Sequence, residues 1–171
     1  MAQAPQTIID LSRLNLSHGD GRRLEVPVAL EPFEVGGQTY LASPPSPPMR
    51  LEVSRPSNGW AFHLTFPVHL EGPCMRCLEP GQLDFEVEAR EVDQGGTEDP
   101  ELRSPYVEDD ELEVARWAHD ATLLAMPATF LCRPDCLGLC PVCGESLNDN
   151  PHEHEVPKDD RWAALKDLKL E

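Results

Sequence analysis

The stretch Trp60-Ala61-Phe62-His63-Leu64-Thr65-Phe66-Pro67-Val68-His69-Leu70 places a large apolar side chain at nearly every second position. Successive side chains of a strand point to opposite faces, so this period predicts a strand with one buried face. The same alternation runs through Leu24, Val26, Val28 and Leu30, through Met49, Leu51 and Val53, and through Leu83, Phe85, Val87 and Ala89. Pro27 and Pro67 fall on the polar faces, which marks edges or bulges, because proline cannot donate to a ladder. Turn signals separate the runs: Gly36-Gly37, Ser43-Pro44-Pro45-Ser46-Pro47-Pro48, Ser57-Asn58-Gly59 and Pro80-Gly81. Residues 1–92 therefore read as a β-rich body, a small, mostly antiparallel sheet or open barrel of four or five strands.

Beyond this body the pattern changes. Residues 93–110 are polar, acidic and Gly-containing, and read as a flexible loop. Val114, Trp117, Ala118, Ala121, Leu124 and Ala125 then recur at spacings of three and four, which predicts a helix over 111–127 packing on the body. Asp109 to Glu113 suit the positive end of its dipole, and Pro127 stops it. A cysteine- and histidine-bearing segment follows over 128–157. Asp159-Asp160-Arg161-Trp162-Ala163-Ala164-Leu165-Lys166-Asp167-Leu168 supplies a capping residue and good helix formers, predicting a short terminal helix over 158–171. The expected class is α+β, with one central helix and a tail held by metal.

Fourteen basic residues against 31 acidic ones give the 171-residue chain a net charge of −17. Broad non-specific binding to nucleic acid or anionic membrane needs Lys and Arg against phosphate, so neither is expected. No apolar run approaches the roughly 18 residues of a membrane span. The opening MAQAPQTIIDLSRL has no basic start followed by an apolar core, so the expected location is the cytoplasm. The excess is concentrated: Gly81 to Asp120 holds fourteen acids and three bases, a net of −11. Such a run reads first as a solvated linker, and second as an acidic face for a basic partner.

The cysteines carry the sharpest chemistry. They form the pair Cys74-Met75-Arg76-Cys77 and the run Cys132-Arg133-Pro134-Asp135-Cys136-Leu137-Gly138-Leu139-Cys140-Pro141-Val142-Cys143-Gly144. Short-spaced thiols turn both sulfurs to one tetrahedral face of a zinc ion, and a glycine after the second closes the turn. His152 and His154 follow, as further ligands or as part of a polar tail. Eight donors suit two structural zinc sites, with Cys74, Cys77, Cys132 and Cys136 in one and Cys140, Cys143, His152 and His154 in the other. A single ion with spare thiols is the rival. A disulfide framework needs an oxidising compartment. A redox Cys-x-x-Cys opens a helix in a βαβ unit, whereas Cys74 follows a strand and Gly72-Pro73. No cysteine is set beside a base as a nucleophile, and no phosphate loop or nucleophile elbow is present, so no catalytic residue and no enzyme activity are expected. His63 and His69 read as solvent-facing.

In order, these residues resemble the YceD family, the large ribosomal RNA subunit accumulation proteins of bacteria and plastids. The likeness rests on Cys74 to Leu78, Leu124-Ala125-Met126-Pro127, the run from Leu131 to Asn148, and Asp160 to Leu168. Where many relatives carry Cys-x-Cys, this chain has His152-Glu153-His154; imidazole can replace thiolate on zinc. The resemblance implies a cytoplasmic, non-enzymatic factor for 23S rRNA accumulation and large-subunit biogenesis. Its partner would be a ribosomal protein or large-subunit precursor, with L32 a candidate because the family's gene often neighbours that of L32. Contact with rRNA would be indirect, with no membrane and no small-molecule substrate. Two alternatives remain: direct RNA binding through Arg22, Arg23, Arg161, Lys166 and Lys169, or chaperoning of zinc or a zinc-binding ribosomal protein.

Overall fold

The computed structural model describes residues 8–95, 97 and 99–154. The strands are β1 (Ile9–Asp10), β2 (Gly21–Pro27), β3 (Phe33–Val35), β4 (Gln38–Ala42), β5 (Pro48–Ser54), β6 (Trp60–Pro73), β7 (Pro80–Asp93), β8 (Val107–Glu108) and β9 (Glu111–Leu112). The α-helix among the described residues, α1 (Val114–Ala125), follows them. All pairings of these strands are antiparallel.

β6 organises the main sheet. Trp60, Phe62, Leu64, Phe66, Val68 and Leu70 are all buried, as the alternation predicts. One edge of β6 pairs with β7 along its whole length, from Trp60 opposite Asp93 to Pro73 opposite Pro80. The other edge is shared: Ala61 to Thr65 pair with β5, and Leu70 and Glu71 pair with β4. Pro67 lies in the gap between the two partners, where its missing N–H interrupts no ladder. The strand order is β2-β5-β6-β4-β3, with β7 on the opposite flank of β6, and the sheet stays open. The β3–β4 hairpin turns on Gly36 and Gly37, at φ 61° and 76°, the two left-handed positions of a tight hairpin turn.

The buried face is covered by Leu11, Leu14 and Leu16, by the small sheet β1-β9-β8, and by α1. Trp117 of α1 meets Phe62 edge-on at 6.3 Å between centroids. The opposite face is polar. There His63 lies 3.1 Å from Glu88, and His69 lies 2.7 Å from Asp84.

Two boundaries differ from expectation. The helix begins at Val114, not 111, because Leu112 is buried in β9 and pairs with both Ile9 and Val107. Asp109 and Asp110 do not enter the helix. They turn the β8–β9 hairpin at φ 48° and 61°, which aspartate tolerates better than most side chains. The segment 93–110, expected as a flexible loop, is anchored in part: buried Asp93 accepts hydrogen bonds from Arg103 Nε at 2.9 Å and the Ser104 N–H at 3.2 Å. The predicted terminal helix over 158–171 lies outside the described residues.

Candidate metal centre

The β6–β7 hairpin ends in the loop Cys74 to Glu79, which holds the first cysteine pair. The Cys74 N–H donates to Glu79 O at 2.8 Å, and the Leu78 N–H donates back to Cys74 O at 2.9 Å. The Arg76 N–H points at Cys74 Sγ, 3.4 Å away. The chain leaving α1 then crosses the hairpin: the Met75 N–H donates to Phe130 O at 2.9 Å. This crossing needs Gly81, since a Cβ there would lie 2.9 Å from the Phe130 ring and 3.0 Å from Cys132 Cα. Cys132 and Cys136 are thereby brought over Cys74 and Cys77.

The four sulfur atoms lie within 4.8 Å of one another. Cys74 and Cys136 are 3.7 Å apart, and Cys77 and Cys132 are 3.5 Å apart. A tetrahedral ion with metal–sulfur bonds of about 2.3 Å needs sulfurs about 3.8 Å from each other, so the arrangement fits. All six cysteines are free thiols, and Cys74, Cys77 and Cys136 are buried. Burial opposes ionisation of Cys74, but the N–H groups of Cys132, Arg76 and Cys77 outweigh it and bring the thiol down to about 6. Burial and then the neighbouring sulfurs push Cys132 up to about 12. Four thiols this close resist joint ionisation unless a cation joins them.

Cys140, Cys143, His152 and His154 form the second group, again with donor atoms within 4.8 Å of one another. Gly144, at φ 78°, closes the turn by donating its N–H to Cys140 O at 2.8 Å. The N–H of Cys143 leads in drawing Cys140 down to about 6, against burial. His152 Nδ1 lies 2.7 Å from Asn150 O, and its Nε2 lies 3.1 Å from Cys143 Sγ. The carbonyl takes the Nδ1 proton, which leaves Nε2 as the metal-facing nitrogen. The Asn150 carbonyl also raises the imidazole's pKa. Each group offers four donors close enough to hold one metal ion, the number that a closed structural centre uses.

Two residues outside the expected set bind these groups together. Arg76 donates from Nη1 to Cys136 O at 2.9 Å, and its carbonyl accepts the Leu139 N–H at 3.1 Å. Asn148 accepts the Leu137 N–H at 2.8 Å and donates Nδ2 to Cys136 Sγ at 3.5 Å. No ligand spacing marks either residue. Supporting contacts of this kind hold a ligand in place and are worth about tenfold to a hundredfold in metal affinity. Asn148→Ala is therefore expected to speed metal loss from the four-cysteine centre by about tenfold, read by release to a colorimetric chelator. A release rate equal to that of the unchanged protein would remove Asn148 from this role.

An open antiparallel sheet whose longest hairpin carries, at its tip, a four-cysteine cluster that could hold a metal ion defines the architecture. The chain belongs to the YceD family, described as large ribosomal RNA subunit accumulation protein YceD, whose match covers residues 62–169. Uncharacterized proteins of Mycobacterium bovis and Mycobacterium tuberculosis are each 35% identical over 127 residues. That match takes in 69% of this chain and 59% of theirs, so the chain spans about three fifths of the length of these relatives. An uncharacterized protein of Mycobacterium leprae is 38% identical over 63 residues, 37% of this chain and 29% of its own. No solved structure matches. Among the described residues no helix is long and apolar enough to cross a membrane.

Proposed function

We propose that this chain is a non-enzymatic, cytoplasmic factor for 23S rRNA accumulation that acts by holding a basic ribosomal or assembly protein. The family match over residues 62–169 carries this reading. The charge of −17 supports protein rather than RNA as the direct contact, since phosphate would be repelled. Of the five bases considered for RNA, Arg23 is engaged by Glu52 at 2.6 Å, Arg22 is exposed with no carboxylate partner among the described residues, and Arg161, Lys166 and Lys169 lie outside those residues. A basic protein shielded by this surface would pass to rRNA, whose charge density is higher. L32 remains the candidate partner. Zinc is the ion that both donor sets suit, one per set: thiolate and imidazole are its usual ligands, and four of them leave no open position for hydrolysis. Its role would be mechanical.

Depletion of the protein is expected to lower the ratio of 23S to 16S rRNA selectively. An unchanged ratio would overturn the reading while leaving the metal centres untouched.

A further inference from the structure

β7 pairs through one edge alone: β6 occupies that edge, and among the described residues no strand occupies the other. The phase of the ladder tells which peptide groups face outward. The Cys74 N–H donates to Glu79 O, so Pro73 opposite Pro80 is a non-hydrogen-bonded rung, as two residues without N–H require. Every second rung from there is of the same kind. The peptide groups of Gln82, Asp84, Glu86, Glu88 and Arg90 thus point away from β6, and Pro67 opposite Glu86 agrees with this phase. None of them has a backbone partner among the described residues.

The two sides of this edge differ. On the outer face stand the exposed side chains of Asp84, Glu86 and Glu88, with Arg90 3.0 Å from Glu88 and the His69 and His63 rings beside Asp84 and Glu88. Glu86 is thus the carboxylate with no such neighbour among the described residues. On the inner face a groove of about 310 Å³ separates β7 from α1. Its floor and α1 side are apolar, with Ala89, Trp117, Ala121 and an 87% exposed Leu124, while Glu88, Arg90 and Glu91 of β7 also line it. Unpaired edges invite strand addition, and like charges across a new pair oppose it. A second copy of this chain would set carboxylates against carboxylates.

We propose that an extended segment of a basic protein, alternating Lys or Arg with apolar residues, adds to the free edge of β7 as a further strand. Its basic side chains would meet Asp84, Glu86 and Glu88, and its apolar ones would enter the groove under Leu124. Main-chain hydrogen bonds supply affinity in such an addition, and alternate side chains supply selectivity. This rests on the basic-partner reading above and names the surface that serves it.

The test uses the full, metal-loaded chain and a synthetic peptide of about ten residues with alternating arginine and valine. Hydrogen exchange of the Asp84, Glu86 and Glu88 amides is expected to slow by about tenfold when the peptide is added. A peptide of the same charge, N-methylated at alternate residues along its pairing edge, is expected to leave these amides unchanged. Glu86→Pro removes one outward N–H opposite Pro67, a pairing that Pro73 and Pro80 already make. It is expected to weaken binding by about tenfold. Glu86→Lys combined with Glu88→Lys keeps every backbone group and is expected to weaken it as well. Equal protection by the N-methylated peptide would overturn strand addition and leave simple charge attraction. Edge amides already protected in the protein alone would show that its own chain fills the edge, again overturning the proposal. Failure of both peptides to bind at low salt would overturn the basic-partner reading itself.

Discussion

Removing any bound metal, or replacing Cys77 by alanine, is expected to unfasten residues 131–154 while Phe130 and β2 to β7 stay folded. The two regions are held by different means. Around the cysteines the buried cluster consists of Cys74, Cys77 and Cys136, with Leu131, Cys132 and Leu139 packed beside it. So little apolar surface cannot offset the entropy of ordering about 25 residues at about 1 kcal/mol or more each. A structural zinc contributes about 10–16 kcal/mol of apparent binding energy at neutral pH, which is enough. The sheet has its own core, from Leu11 to Phe130. Hydrogen exchange resolved by segment would show amides such as Leu139 and Gly144 losing protection after chelation, while Leu64 and Leu51 keep theirs. Acid should act as the chelator does. The ligands hold an ion only when deprotonated, so protection of the tail is present at neutral pH and lost once acid is strong enough for protons to displace the ion from its thiolates. A tail still protected without metal would show that packing alone holds it.

Trp117→Ala is expected to lower global stability by about 3–5 kcal/mol, the usual cost of removing a buried aromatic side chain. Trp117 is 2% exposed and fills the junction of three elements. Its ring meets Phe62 of β6 edge-on and stacks near Tyr106, with centroids 6.3 Å apart in each case. Neither neighbour can follow the lost ring: Phe62 is fixed by its place in the sheet, and Tyr106 is held by a hydrogen bond from its hydroxyl to Asp120 at 3.1 Å. Leu124→Ala, seven residues along the same helix, should change stability by less than about 0.5 kcal/mol, because its side chain is already in water. Urea unfolding of the two variants separates them. A small loss for Trp117→Ala would mean that α1 contributes little to the core.

What can be read from the chain alone follows the length of each signal. The fourteen residues of β6 and of β7 show their period several times over, so both strands are evident from the residues themselves. The twelve residues of α1 give three turns of an apolar stripe. β3 has three residues and β8 and β9 two each, too few for a period to register. Gly36-Gly37 is legible as a turn, but Phe33 and Tyr40, the buried residues that justify strands on either side, show no alternation nearby. Asp109 to Glu113 misleads because an acidic run suits a helix start, whereas burial of Leu112 decides for a strand. The eight ligand-type residues stand out by chemistry and spacing. Their order along the chain suggests the split into Cys74, Cys77, Cys132, Cys136 and Cys140, Cys143, His152, His154, beside a single-ion rival. The fold brings together those same two groups, joining residues as far apart as Cys74 and Cys136, 62 positions away. Arg76 and Asn148 carry no motif, since their roles arise only after the loops meet.

The placement of Cys74 and Cys77 at a hairpin tip also orders events in time. Closing the β6–β7 hairpin joins Cys74 to Glu79 across one short loop, a local step that costs little chain entropy. Bringing Cys132 to Cys77 closes a loop of 55 residues that includes β7, the small β8–β9 hairpin and α1. Low-separation contacts form sooner, so the hairpin zips first and presents two thiols on a finished scaffold. During synthesis the same order holds, because β7 is complete well before Cys132 is made. An ion bound by all four cysteines would then have to wait for Cys132 and Cys136, and until they arrive Cys74 and Cys77 would stand as a thiol pair open to oxidation.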